Sequence, residues 1–334
     1  MPGEDQVTWG DFGWQGLRLR VPEEWNLGKV DGNYKSGYAR LDDAEIVRVE
    51  LEWRDIPGGG QAVSGLVDRY LESLRKKAGK ADIPFKVTRR ARFLKDKRWL
   101  EDCDYETFIW EADFKAYNLA RTFGLGKRVA LLRVLTRFDE NIEGLIEEVF
   151  RSLEDQPEEE DFLWSVYGLG FFMPAQYKLE SHGLKSGHIQ LNFQQDRHTV
   201  QVHRLSMANL LLKGTGLEAW YSNFFSKQLR DFNFETAPED VGDQEGLRIE
   251  GRPRSRWRQL LRPLPFINPR PRLYLDGRIW HWEAANKIGI VEHLYKKKDE
   301  KGDLAQQVAD GYIRFEKDAQ ADPRDHAQFA ARPQ

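Results

Sequence analysis

The sequence predicts an α+β fold of two repeated units. Each unit is an antiparallel β-sheet with helices packed on it, in the order strands, helix, strands, helix. Three observations lead there. A residue pattern recurs at a nearly constant offset, short runs alternate apolar and polar residues as half-buried strands do, and longer runs carry an apolar stripe at helical spacing. Strands joined by short turns favour antiparallel pairing, with the helices covering the sheet.

The repeat opens the reading. Residues 12–27 are FGWQGLRLRVPEEWNL and residues 164–179 are WSVYGLGFFMPAQYKL. At an offset of 152, Gly16 meets Gly168, Leu17 meets Leu169, Pro22 meets Pro174 and Trp25 meets Tyr177. Farther on, Gly37 to Leu41 meets Gly187 to Leu191, Val47-Arg48-Val49 meets Val200-Gln201-Val202, and Tyr70 meets Tyr221.

Strands are expected at 17–21 and 47–54, where Val47, Val49, Leu51 and Trp53 alternate with charged residues. Pro57 to Gly60 then breaks the run. A helix follows with Val63, Leu66, Val67, Tyr70, Leu71 and Leu74 on one face. Strands around 85–94, 99–110, 115–124 and 127–137 precede a helix carrying Ile142 to Leu153, with Asp139 or Asn141 as its cap. The second half is expected to give strands at 163–173, 187–194 and 198–206. A helix with Leu217, Trp220, Tyr221, Phe224 and Phe225 inward comes next. Strands at 246–251, 272–284 and 287–297 and a last helix with Leu304, Val308, Tyr312 and Phe315 complete it.

The domain boundaries follow. The first unit covers 1–155 and the second 162–315. Residues 154–161, EDQPEEED, hold six acids and one proline and read as a solvated linker. Residues 316–334 lack apolar periodicity and read as a disordered tail.

Composition bounds the function. In 334 residues there are 11 Trp, 11 Tyr and 19 Phe against 3 Met, so apolar mass sits in a few large side chains. The one cysteine, Cys103, excludes an internal disulfide and every multi-thiolate metal site. The N-terminal MPGEDQVTWGDFGW has neither a basic nor an apolar region of secretory type, and no run reaches the length of a membrane span, so a cytoplasmic protein is expected. The formal charge of −3 gives no overall attraction to nucleic acid or membrane.

The two half-units resemble the Mog1/PsbP/DcrB-like fold. The residues that carry the likeness are Val21-Pro22-Glu23-Glu24-Trp25 and Met173-Pro174-Ala175-Gln176-Tyr177, the strand-ending step with which such domains begin, followed by a hairpin, a long helix, more strands and a C-terminal helix. The resemblance spans about residues 10–155 and 162–315. It implies a non-enzymatic protein, because domains of this kind mostly bind partners, as GTPase regulators, photosystem subunits or chaperones of secreted effectors. It brings no catalytic residues.

The residues themselves agree that no enzyme is expected. Gly28-Lys29, Gly79-Lys80 and Gly126-Lys127 lack the Ser or Thr and the upstream glycine of a phosphate-binding loop, and no zinc-protease, nucleophile-elbow or kinase pattern occurs. No catalytic residue, metal ligand or cofactor is assigned. Two clusters are weighed against plain structural roles. His281 and Glu283, with His293 on the next strand, have the residue types of a metal site, whereas His198 and His203 fall on opposite strand faces and cannot share an ion. Asp102, Asp104 and Glu106 on one strand face have the oxygen ligands of a divalent-cation site, or simply face water.

The sharpest segment is an Arg/Pro-rich arm, 252–272, with seven arginines and five prolines and no acid. Arg252, Arg254, Arg256, Trp257, Arg258, Arg262, Arg270 and Arg272 are the candidate partner-binding residues, since guanidinium groups pair with carboxylates or phosphates and stack on rings. Alternatives are an arm that pairs with the chain's own acids and one that grips a nucleic-acid backbone. Aligning Val129 with Ile288, an offset of 159, sets the arm against the basic segment 89–98. The expectation is a protein-binding scaffold or chaperone-like protein whose partner offers an acidic surface or an apolar helix. The alternatives are a small apolar ligand and nucleic acid.

Overall fold

The computed structural model describes residues 7–57, 62–140, 142–254, 273–296 and 302–320. The chain divides into two compact units, Met1–Gly168 and Leu169–Gln334. Antiparallel sheet dominates, in three sheets, with six α-helices among the described residues.

In the first unit β1 (Trp9–Trp14) and β2 (Leu17–Pro22) form a hairpin. Its turn residues Gln15 and Gly16 both have positive φ, 53° and 79°, the geometry that matches the twist of two strands. The chain continues through β3 (Asn26–Gly32), β4 (Ser36–Asp42), β5 (Val47–Asp55), α1 (Val63–Ala81), β6 (Lys86–Arg89), β7 (Tyr105–Glu111), β8 (Lys115–Phe123), β9 (Arg128–Thr136), α2 (Glu143–Arg151), β10 (Glu154–Asp155) and β11 (Asp161–Val166). The main sheet has the order β3-β4-β5-β9-β8-β7-β6. β10, β2, β1 and β11 lie side by side in a smaller sheet.

Helix α1 buries Val63, Val67 and Leu71, at i, i+4 and i+8, against Phe108, Ala120 and Val129 of the main sheet and Ile56 just after β5. Each such side chain contributes about 1.5–3 kcal/mol. Its first turn has no capping side chain of its own. Asp104, just before β7, supplies one, accepting the Val63 amide at 2.7 Å. The helix stops at Asp82, whose left-handed φ of 54° lets the Ile83 amide reach the Ala78 carbonyl. On the opposite face Phe150 of α2 meets Phe93, which stands edge-on to Tyr117 of β8.

The second unit runs β12 (Leu169–Pro174), β13 (Lys178–Lys185), β14 (His188–Gln195), β15 (His198–Ser206), α3 (Ala208–Leu211), α4 (Leu217–Phe224), α5 (Ser226–Leu229), β16 (Phe232–Pro238), β17 (Gly246–Pro253), β18 (Tyr274–Trp282), β19 (Lys287–Tyr295) and α6 (Leu304–Gln320). Its sheet has the order β13-β14-β15-β19-β18-β17-β16, the same connectivity as the main sheet of the first unit. One face carries Leu205, Ile249, Ile279, Ile288 and Ile290 against Trp220, Tyr221 and Phe225 of the α3–α5 segment. The other takes α6, with Tyr312 edge-on to Trp280 at 5.1 Å.

Several expectations change. The run 163–173 is two strands, because Tyr167 and Gly168 adopt positive φ, 53° and 69°, and turn the chain. Between 85 and 110 only Lys86–Arg89 and Tyr105–Glu111 are strands. The cap position of α2 is Ile142, which has no capping side chain, and Asn141 lies outside the described residues. Phe224 is 46% exposed rather than inward, since α4 ends there and Phe225 turns into the core. Residues 154–161 are not wholly a solvated linker. Glu154 and Asp155 pair with β2, and the Asp155 carboxylate bonds the buried Arg128. Helix α6 runs to Gln320, past the Phe315 limit set by apolar spacing, because a helix nucleated by its buried Val308, Tyr312 and Ile313 propagates readily. Residues 321–334 lie outside the described residues.

Register also corrects the internal alignment. Leu51 faces Leu132 in one sheet and Val202 faces Val291 in the other. That sets β5 against β15 at an offset of 151 instead of 153. Lys115 faces Thr136 and Tyr274 faces Tyr295, which keeps β9 against β19 at 159. The arm therefore stands between β17 and β18, at the place of the short β7–β8 turn, and not opposite 89–98.

Candidate functional site

Two buried polar clusters lie between helix and sheet, one in each unit. In the first, Arg133 of β9 sits directly opposite Glu50 of β5. Its guanidinium bonds the Glu50 carboxylate and reaches Glu52 at 3.2 Å. Tyr38 of β4 donates to Glu50 at 2.6 Å, and the Arg133 guanidinium lies 5.0 Å above the Tyr70 ring of α1. Burial works against the Arg133 charge, but the Tyr70, Glu50 and Glu52 groups around it hold its pKa above the usual value. Burial raises the Tyr70 hydroxyl to about 12.

In the second unit the same strands carry different chemistry. His188 Nε2 and His203 Nδ1 are 3.1 Å apart, with their rings stacked. The other nitrogen of His203 faces Glu292 at 3.9 Å, and Glu292 accepts the hydroxyl of Tyr221. His203 and Glu292 are almost wholly buried, 1% and 4% exposed. Burial, and then His188, push His203 down to about 3, so the imidazole is neutral. Burial pushes Glu292 up to about 7 although the Tyr221 hydroxyl favours its charge. Phe224 and Phe225 cover the two imidazoles edge-on.

The candidates from sequence separate. His198 pairs with His293 across the opposite sheet face from His203, at 2.9 Å, as strand alternation requires. His281 lies opposite Ile288, so it shares a face with neither His293 nor His198 and the three-ligand set is not assembled. Asp102, Asp104 and Glu106 do not converge either. Asp102 precedes the strand, Asp104 caps α1, and Glu106 bonds Arg89 at 2.7 Å. No group of three metal-ligating side chains is found among the described residues. Burial raises the Cys103 thiol, which favours its protonated form.

Of the arm, Arg252 is the exposed penultimate residue of β17, and Arg254 is exposed with Nε donating to Asn233 Oδ1 at 3.1 Å. Arg256, Trp257, Arg258, Arg262, Arg270 and Arg272 lie outside the described residues. No described tryptophan is exposed, so the aromatic excess belongs mainly to the core. Exposed large apolar side chains include Met207, Leu210 and Phe224 around α3 and α4. A pocket of about 430 Å³ opens between α1 and the sheet in the first unit. The polar clusters escaped sequence reading because their members sit on three strands and a helix, each alternating with apolar neighbours as water-facing residues would.

No family model matches the chain, and neither does any curated protein. Solved structures similar to it include the immunity protein TplEi of T6SS from Pseudomonas aeruginosa, 12% identical, over 92% of this chain and 98% of that one, at a TM-score of 0.33. The same protein complexed with a peptide gives 11% identity, the same coverage and the same score. The PsbP protein CyanoP from Synechocystis sp. PCC 6803 is 13% identical over 46% of this chain and 96% of its own, at a TM-score of 0.32. No helix among the described residues is long and apolar enough to cross a membrane.

Proposed function

We propose that this chain is a non-enzymatic protein-binding protein of the cytoplasm, a scaffold or chaperone-like molecule built by duplication of one Mog1/PsbP/DcrB-like unit. Its partner offers the apolar face of an amphipathic helix to the α3–α4 segment. The observation that supports this is the asymmetry of the helical layer. Helix α1 exposes no large apolar side chain, whereas Met207, Leu210 and Phe224 are 52%, 61% and 46% exposed. Met207 also has φ of 63°, a conformation that costs free energy in a residue other than glycine and is retained where structure or function demands it. Apolar anchors at such spacing suit helix recognition. Arg252 and Arg254 add positive charge at the exposed end of β17, favouring a partner with acidic residues beside its apolar face. The equal strand order of the two sheets supports duplication. The closed polar clusters, with a neutral His203 and a Glu292 bonded to Tyr221, support structural roles for those groups over catalysis.

The test is affinity capture on the immobilised full chain and on Leu210→Glu/Phe224→Glu, with circular dichroism of both. The expected result is a protein that rebinds the parent one-to-one after purification and is lost by the variant at unchanged fold. Equal binding by parent and variant, or no rebinding protein, overturns the reading.

A further inference from the structure

We propose that the pocket between α1 and the sheet of the first unit binds a small amphiphilic carboxylate. Its tail lies on Leu66, Ala120, Val129 and Leu131, and its head lies between Arg54 and Arg69. This goes beyond protein binding and concerns the other unit. The pocket has the size of a small-molecule site, about 430 Å³. Its floor is apolar, with Ala120 and Val129 buried and the Trp53 indole already bonded through Nε1 to the Asn33 carbonyl.

Its wall is charged in an unbalanced way. Arg54 and Arg69 both line the pocket and have no ion pair among the described residues. The acids nearby are engaged elsewhere, Glu52 with Arg133 at 3.2 Å and Asp68 with Arg89. The mouth thus presents two uncompensated guanidinium groups, the fork geometry that recognises carboxylates. Glu52 on the same wall disfavours a doubly charged phosphate head. The Tyr70 side chain also lines the pocket, with its buried hydroxyl raised to about 12 and therefore uncharged toward an anionic ligand.

Comparison of the two units shows what the pocket replaces. Arg54 is the eighth residue of β5, and the eighth residue of β15 is Leu205. On the sequence match of Tyr70 with Tyr221, Arg69 falls on Trp220. Leu205 and Trp220 are 2% and 7% exposed and belong to one packed core cluster. Where the second unit fills this space with its own side chains, the first holds two unpaired cations around a void. An anion with an apolar tail covers the apolar floor and pairs both guanidinium groups on binding.

The experiment is isothermal titration of the purified full chain with sodium decanoate below its micellar range. Acetate and decyltrimethylammonium serve as controls for the head alone and for a cationic head. Saturable one-to-one binding of decanoate is expected, weakened at least tenfold in Arg54→Gln/Arg69→Gln and abolished in Leu66→Trp, with neither control binding. Both arginines are exposed, so their variant keeps the fold and decides the matter even where Leu66→Trp does not fold. No saturable binding of decanoate, equal affinity in the double arginine variant, or equal binding of the cation overturns the proposal.

Discussion

Arg133 and Glu292 occupy the same position, the sixth residue of β9 and of β19, with opposite charge. Each faces the fourth residue of the neighbouring strand, Glu50 in one sheet and Gln201 in the other. The first unit meets its buried charge with acids and the second meets its own with a tyrosine and a neutral histidine. Removing Arg133 therefore leaves Glu50, a mostly buried carboxylate, without its cation. Arg133→Met is expected to lower unfolding stability by about 3 kcal/mol, the order seen when one partner of a buried pair is deleted. Arg133→Met/Glu50→Gln is expected to lose less than the sum of the single changes. Urea denaturation of the four proteins measures the coupling, and strict additivity would show that the pair does not interact.

The second cluster makes stability depend on pH in two opposed ways. Glu292 titrates at about 7 when folded against an ordinary 4.5. Over that window the folded state holds the extra proton, so its contribution falls as pH rises from about 4.5 to 7. His203 titrates at about 3 when folded against 6.5, so the unfolded state holds the extra proton and stability rises with pH from about 3 to 6.5. Between 4.5 and 6.5 the two slopes, each at most about 1.4 kcal/mol per pH unit, oppose each other. The neighbouring His188, also lowered by burial, adds to the rise, and Tyr221, held well above 10, does not titrate there. Glu292→Gln is expected to unmask a rise in stability with pH across that interval, and His203→Asn a fall. Melting temperatures at half-unit pH steps check this, and superimposable profiles for parent and Glu292→Gln would disprove it.

Trp280 explains a glycine. It faces Gly289 across β18 and β19, and a Cβ at 289 would come within 2.2 Å of the indole. The equivalent pair in the first unit is Arg121 facing Ala130, where the smaller demand of a guanidinium stem leaves room for a methyl group. Trp280 is 1% exposed and held by Tyr312, so it has nowhere to move. Gly289→Ala is expected to cost about 1–3 kcal/mol through overpacking. Trp280→Phe/Gly289→Ala should recover part of what the glycine change alone loses. Denaturant midpoints of the three variants decide, and a neutral Gly289→Ala would contradict the packing.

How much of this was readable beforehand depends on period and locality. The alternation from Val47 to Trp53 marks β5, since one buried face imposes a two-residue period that survives in sequence. Strands β9 and β19 were equally legible, because both are long and mostly apolar. The turn at Tyr167-Gly168 was not, because a tyrosine with positive φ lacks the asparagine or aspartate that usually announces such a turn. Glu50, Glu52, His203 and Glu292 looked like water-facing residues, since alternation says which residues share a face and not whether a helix covers that face. The cap on α1 was hidden for another reason. Asp104 is 41 residues away from the amide it accepts, and no local signal links them.

Arg128 holds the first unit together at the point where its strand ends meet. Its guanidinium, 4% exposed, donates to the Gln15 carbonyl at 3.0 Å and the Tyr34 carbonyl at 2.9 Å, and it bonds the Asp155 carboxylate. It also lies 4.5 Å from the Tyr34 ring. One side chain thus satisfies the β1–β2 turn, the β3–β4 turn and β10. A buried carbonyl, Gln15, and a half-buried one, Tyr34, lose their donor if it is removed, and an unsatisfied buried group costs about 1–3 kcal/mol. Arg128→Met is expected to destabilise the protein by about 3–5 kcal/mol. Lysine, with one compact ammonium, cannot span three acceptors, so Arg128→Lys should recover less than half of that. Asp155→Asn should cost less than either, because burial already holds the Asp155 pKa above its usual value despite Arg128, and an amide avoids that desolvation. The ranking Met above Lys above Asn, read from urea unfolding at neutral pH, tests the assignment. An Asp155→Asn loss as large as that of Arg128→Met would shift the weight from the carbonyl contacts to the ion pair.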